Sequence, residues 1–281
     1  MLTPQQIAEF KMKFETHGFC HVRGIIPPDT LAAAGQAFEQ ARARAEPARG
    51  AANKDAYFDI PHILDQGAPF IELVDLPALF PLLVELVGAD IQLNHTMARL
   101  FYPGPTFTSP FHSDLPKVLG ISHENMSSFL VKVHFYLEDL REDQGCLAFI
   151  PGSQRYPASK PNPKRLSPDH QDLVVKIVPR AGDAVIFNTH VLHMALDNTS
   201  PNVRKSLIYA YSHFWLKTYR SGAPSDLAPY QADPQRKQLF GIEEPGVGYF
   251  DRRLDEDTQA SFGTAVRDNG KRLVKRILGR R

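Results

Sequence analysis

His112 and Asp114, in the segment SPFHSDLP, are residue types that bind metals, and the single residue between them lets both side chains leave one face of a strand. Alone, that spacing says little. With 11 histidines and 31 acidic residues in 281 positions, an acid two places after a histidine should occur on the order of once by chance. His170 with Asp172 is such a rival, in the polar, proline-punctuated PNPKRLSPDHQD, a loop that would hold ligands loosely. What favours His112 and Asp114 is a third candidate, His193 in NTHVLHMALDN, at the end of a later β-rich run and eleven residues before Arg204. Two histidines and one carboxylate suit a facial triad, which holds iron(II) on one side and leaves positions for a chelating 2-oxo acid and dioxygen. The far carboxylate of 2-oxoglutarate needs a paired cation when buried, and a guanidinium meets it with two parallel charge-assisted hydrogen bonds. Arg204 is the candidate for that cation, with Ser206 on the same strand face.

Other polar residues compete for roles. His190 precedes His193 by three residues, so on one strand the two would face opposite ways, and spacing does not choose between them. His95, Lys132, His134 and Tyr136 stand within apolar strands, where a polar group is more often a satisfied core or pocket-wall residue than a ligand. Lys132, His134 and Tyr136 are candidates for lining a substrate pocket. The basic tail NGKRLVKRILGRR carries Leu273, Val274, Ile277 and Leu278 at helical spacing and fits an amphipathic surface helix better than an anchor.

These residues need a scaffold. Thr3 is a helix cap, Pro4 suits a first turn, Ile7, Phe10 and Phe14 recur at steps of three and four, and Gly18 ends the pattern. A strand is expected in GFCHVRGII and a second helix from Pro28, Asp29 and Thr30, running into the Ala- and Arg-rich stretch that ends near Ala52. The apolar run IELVDLPALFPLLVELVG is broken by Asp75, Pro77, Pro81 and Glu85, and reads as short buried helices rather than the roughly 20-residue span a membrane requires. Beyond about residue 90 come short β-rich runs: IQLNHTMARLFY, SFLVKVHFYLED, CLAFIP, DLVVKIVP, DAVIFNTHVLH and SLIYAYSHFW. Their spacing favours a sandwich or barrel. The expected plan is one domain over 1–281: a helical preface over about 1–90, a jelly-roll core over about 90–220, and an extension over about 221–281.

Composition narrows the classes. The 32 basic and 31 acidic residues nearly cancel, so no global field favours a polyanion and no nucleic-acid partner is expected. Two cysteines are too few for a disulfide framework, and MLTPQQIAEF lacks a basic-then-apolar start, which together suggest a cytoplasmic protein; with no apolar run of spanning length, no membrane partner is expected.

Along most of its length the chain resembles the phytanoyl-CoA dioxygenase family of iron and 2-oxoglutarate oxygenases. LTPQQIAEFKMKFETHGFCHVRGIIPPDTL is similar to the family's opening, FYPGPTFTSPFHSD to its Pro-Gly approach to the iron-binding histidine and aspartate, and FYLEDLREDQGCLAFIPGSQR to its strand, acidic turn, glycine hairpin and Pro-Gly-Ser. GDAVIFNTHVLHMALDNTSPNVRKSL is similar to the segment bearing the distal histidine and the 2-oxoglutarate arginine. The resemblance implies a double-stranded β-helix (jelly-roll) barrel, mainly β with flanking α-helices. It also implies iron held by His112, Asp114 and His193, 2-oxoglutarate held by Arg204, and hydroxylation of a small molecule with release of succinate and carbon dioxide. Asp114 leaves no place for chloride, so halogenation is not expected; desaturation or ring closure is compatible. Gln144 replaces the commoner asparagine, Met194 and Ala195 replace Gly-Ser, and the lysine many relatives carry near Phe101 is missing. Arg99, Ser109 and Ser206 are therefore the candidates for a second 2-oxoglutarate contact. Two rival classes stand beside this reading: a non-catalytic jelly roll that binds a metal or ligand, and an isomerase or hydrolase using another ion in a similar barrel.

Overall fold

In the computed structural model, residues 1–49, 56–105, 111–113, 128–155, 172–218 and 222–242 are described. The chain divides into two compact units, 1–241 and 242–281; beyond residue 242 the second, with the basic tail, lies outside the described residues. Among the described residues no helix is long and apolar enough to cross a membrane.

Helix α1 spans Pro4–His17. The Thr3 side chain accepts from the Gln6 backbone N–H while the Gln6 side chain accepts from that of Thr3, so two otherwise unpaired donors are satisfied reciprocally. Gly18 closes the helix at φ 86, donating to Phe14 O at 2.7 Å. Strand β1 (Phe19–Val22) follows, then α2 (Pro28–Arg49), β2 (Tyr57–Pro61), and the short helices α3 (Ala68–Glu72) and α4 (Phe80–Val87). The sheet strands are β3 (Ile91–Phe101), β4 (Leu130–Phe135), β5 (Leu147–Phe149), β6 (Val175–Ile177), β7 (Ala184–Asn188), β8 (His193–Ala195) and β9 (Arg204–His213), before a last helix, α5 (Pro234–Leu239). The expected runs therefore appear as strands, while β2 is a strand the sequence pattern did not announce.

Among the described residues every pairing is antiparallel, in a six-stranded sheet of order β1-β7-β4-β9-β3-β2 and a three-stranded sheet of order β6-β5-β8. Apart from β2 with β3 and β5 with β6, neighbours in the sheets are strands that are not consecutive in sequence, as in a jelly roll. A core of Phe19, Phe101, Tyr136 and Phe187 from the large sheet and Leu147, Phe149 and Ala195 from the small one fills the space between them. Phe19 stacks on Phe149 across that gap with ring centroids 4.4 Å apart.

Side-chain alternation gives the large sheet two different faces. On the outer face, Tyr209 donates to Phe70 O at 2.7 Å and Tyr211 to Val74 O at 2.6 Å, fastening the sheet to α3 and the segment after it. The apolar helix α4 buries Leu82, Leu83, Leu86 and Val87. The inner face carries Arg204, Ser206, Ile208 and Ala210 on β9, Arg99 and Phe101 on β3, Lys132 and His134 on β4, and Val185 and Phe187 on β7.

Candidate metal and 2-oxo acid site

Residues 112 and 193 are brought together by the backbone. His112 and His193 face each other in an isolated antiparallel bridge, exchanging N–H···O bonds of 3.1 and 3.0 Å. Their rings lie 4.7 Å apart between centroids, near enough for two imidazoles to share one ion. Asp114 and Ser109 fall outside the described residues, as does His170.

Several small contacts aim the two histidines. The Nδ1 atom of His193 lies 2.9 Å from Val191 O, which places the ring proton on Nδ1 and the lone pair on Nε2, the arrangement a metal-binding imidazole needs. Phe187 and Phe149 flank the ring at 4.7 and 6.1 Å. The Pro-Gly-Ser motif acts one residue earlier: Ser153 Oγ donates to Ile150 O and accepts from Leu192 N–H at 2.8 Å, pinning the chain as it enters β8. Ser113 Oγ donates to Thr189 O at 3.0 Å and fixes the His112 segment to the same turn. His190 does not share a strand with His193; it lies in the turn between β7 and β8, where its backbone N–H donates to Asn188 Oδ1 at 2.9 Å and its ring lies 3.0 Å from the same atom.

At the other end of the inner face stands Arg204, 1 % exposed. One Nη donates to Gly145 O, and the guanidinium lies over the Phe101 ring, 5.3 Å from its centroid. That contact explains the glycine in the hairpin. Gly145 has φ +68, and a Cβ there would sit 2.4 Å from the Phe101 ring, so a side chain would displace the aromatic surface under Arg204. Gln144 supports the hairpin through Val203 O at 3.1 Å, and Asn198 ties the end of β3 to the approach to β9 through Phe101 O at 3.0 Å. Gly145, Ser153 and Asn198 were not singled out for positioning roles from sequence, although the Gly and Pro-Gly-Ser strings were the available signal.

Arg204 has no carboxylate partner among the described residues, and its buried Nε has no hydrogen-bond partner there. A buried guanidinium without an anion is costly. Ser206 Oγ, His134 Nδ1 and Tyr136 Oη are likewise buried without a partner. His134 is held neutral: burial lowers its pKa well below the ordinary 6.5, and the nearby cations Arg204, Lys132 and Arg99 push the same way. Arg99 pairs across from Ser206 on the ladder, but its fork is engaged by Asp59 at 2.7 and 2.8 Å and lies 5.1 Å from the Tyr57 ring centroid. The donor set fits the expected groups: two adjacent imidazoles for an iron ion, and a buried cation with neighbouring hydroxyls for the far carboxylate of a 2-oxo acid.

Comparison with known proteins agrees with this architecture. The SnoN epimerase of nogalamycin biosynthesis, described as non-haem and α-ketoglutarate-dependent, is 18 % identical and superposes with a TM-score of 0.58, covering 75 % of this chain and 84 % of that one. The carbocyclase SnoK of the same biosynthesis is 21 % identical with the same TM-score and coverage. HygX from Streptomyces hygroscopicus, solved with nickel and 2-oxoglutarate bound, is 15 % identical at a TM-score of 0.59, covering 78 % of this chain and 90 % of its own. No curated protein matches by sequence. The family profile for phytanoyl-CoA dioxygenase (PhyH) matches residues 14–206, from the end of α1 through Arg204 to Ser206. The chain belongs to the phytanoyl-CoA dioxygenase family of non-haem iron, 2-oxoglutarate-dependent oxygenases.

Proposed function

We propose that this enzyme hydroxylates a small, partly apolar organic molecule, with His112, Asp114 and His193 holding iron(II) and Arg204 and Ser206 holding the far carboxylate of 2-oxoglutarate. One observation carries the reading: Arg204, buried on the same face as the pocket-wall residues, lacks an acidic partner among the described residues. A dicarboxylate co-substrate supplies that anion. When bound together, iron(II) and 2-oxoglutarate supply dioxygen activation coupled to decarboxylation, yielding succinate and carbon dioxide.

The protein's own part is to bind, orient and exclude water. The His193 Nδ1 contact to Val191 O sets the ligating nitrogen, Phe187 and Phe149 shield that ring, and the Gly145 carbonyl with the Phe101 face fixes the guanidinium. Neutral His134 presents a polar edge without adding charge. At the opposite end of β9 from Arg204, Trp215 is 48 % exposed, stacked on His213 at 5.7 Å and edge-on to Phe129 at 5.0 Å. This aromatic rim favours a substrate with an apolar body.

A secondary metabolite suits that rim, and the biosynthetic neighbours SnoN and SnoK favour the same class. Their names as epimerase and carbocyclase also make stereochemical inversion and ring closure alternative outcomes of the same oxidation. The reading keeps one oxygenase domain in the cytoplasm, where the buried thiols Cys20 and Cys146 stay reduced.

Anaerobic addition of iron(II) and then 2-oxoglutarate tests it. A visible charge-transfer band that decays on exposure to oxygen, with succinate formed, is the expected result. A protein that binds metal without developing the band is a non-catalytic jelly roll or an enzyme using another ion.

A further inference from the structure

Tyr136 follows β4 in the core between the two sheets and is fully buried. The last ladder pair, Phe135 with Leu207, places the next residue beside Ser206, one step from Arg204 along the inner face. Its backbone is fixed on both sides, the N–H donating to Asp183 O at 3.1 Å and the carbonyl accepting from Gly182 N–H at 2.9 Å. The ring is enclosed from water, yet Tyr136 Oη has no hydrogen-bond partner among the described residues. A buried hydroxyl left in that state destabilises the fold. Tyr209 and Tyr211, equally buried one strand away, both donate to backbone carbonyls, so this sheet does pair its phenols where pairing serves the fold.

On the same inner face, Ser206 Oγ and Arg204 Nε are in the same condition, and Arg204 is close enough to act electrostatically on the phenol. One Nη of Arg204 is engaged by Gly145 O, which leaves the Nε edge of the guanidinium for an anion. A carboxylate presents two oxygens with about four acceptor positions. One guanidinium edge, one serine hydroxyl and one phenol can saturate much of that capacity. Burial raises the Tyr136 pKa to about 12 despite the opposing pull of Arg204, so the hydroxyl keeps its proton and is a donor at neutral pH. Arg99, which the sequence offered for a second contact, has its fork on Asp59.

We propose that Tyr136 donates a hydrogen bond to the far carboxylate of 2-oxoglutarate, beside Arg204 and Ser206, and is a co-substrate-binding residue rather than part of the substrate pocket wall. The inference rests on the co-substrate reading of Arg204 given above. It makes the phenol a selector for dicarboxylic over monocarboxylic 2-oxo acids, because it touches only the end of the molecule that a monocarboxylic analogue lacks.

The test is calorimetric titration of anaerobic, Mn(II)-loaded protein with 2-oxoglutarate and, by competition, with 2-oxobutanoate, comparing wild type, Tyr136→Phe and Arg204→Gln. Tyr136→Phe removes one oxygen and keeps the ring that fills the core. It is expected to weaken 2-oxoglutarate about tenfold or more, the effect of one hydrogen bond to a charged group, while 2-oxobutanoate stays within about twofold. The melting temperature of the ligand-free variant should hold or rise, since an unpartnered buried hydroxyl has been removed. Equal loss for both acids, or a fall in melting temperature with no change in either affinity, makes the phenol structural and overturns the inference. If Arg204→Gln weakens 2-oxoglutarate and Tyr136→Phe does not, Tyr136 falls while the function stands. If neither variant changes 2-oxoglutarate binding, the functional reading falls with it.

Discussion

The two faces of the six-stranded sheet treat buried polar groups in opposite ways. Outward, Tyr209 and Tyr211 reach Phe70 O and Val74 O, and each hydroxyl is spent on joining sheet to helical layer. Inward, Arg204 Nε, Ser206 Oγ, His134 Nδ1 and Tyr136 Oη have no partner among the described residues. The outer face has its own exception in Thr96 Oγ1, but a single hydroxyl is ordinary, whereas four such groups on one face, including a guanidinium, are not. On the proposed reading, the difference separates groups that stabilise the fold from groups kept for a ligand at a cost to stability.

Substitutions can break or sharpen that contrast. The largest effect is expected at the metal: His193→Ala should abolish iron-dependent succinate formation while His170→Ala spares it, and equal loss from both would show the ligand choice to be mistaken. Next comes Arg204→Ala, for which 2-oxoglutarate affinity should fall about a hundredfold with the loss of a charged, two-point contact. The volume-matched Arg204→Met should show the same loss of affinity while its unfolding midpoint in urea holds or increases, because the fold no longer buries a cation without an anion; a sharp loss of stability would place Arg204 among the fold-building residues. On the outer face the sign reverses. Tyr209→Phe should cost about 1–2 kcal/mol in denaturant unfolding, leaving Phe70 O unpaired, with 2-oxoglutarate affinity unchanged.

The smallest effect concerns acid. His134 has a folded pKa well below 6.5, so the unfolded chain takes up its proton first as pH falls, and stability declines from about 6.5 downward until the folded pKa is reached. His134→Gln should flatten that part of the stability–pH curve; an unaltered slope would assign the acid sensitivity elsewhere.

Much of the scaffold was legible because local signals agreed with the tertiary answer. Thr3, Pro4, Gln6 and Gly18 announce α1 at both ends, and the alternating runs around residues 91–101, 130–135 and 204–213 announce the central strands. Strand β2 was illegible, since YFDIP is five residues long and gains its strand character by pairing with β3. Strand β8 is three residues long, and the turn that precedes it undid the simple alternation argument for His190 and His193. At the candidate site, residue types and spacing nominated His112, His193, Arg204 and Ser206. The engagement of Arg99 by Asp59 could not be read, because it depends on a ladder register joining residues 40 positions apart. The solitude of Tyr136 Oη was hidden for the same reason, as no sequence pattern reports which donors finish without an acceptor.

The bridge between His112 and His193 joins segments 81 residues apart and is made of two backbone bonds between His112 and the first residue of β8. Contacts of such long range close late, after most of the chain's loop entropy has been lost. If these imidazoles hold iron as proposed, a nascent or partly melted chain would present them scattered, with little hold on a transition metal, and the capacity for oxidative damage would arrive only with the finished molecule.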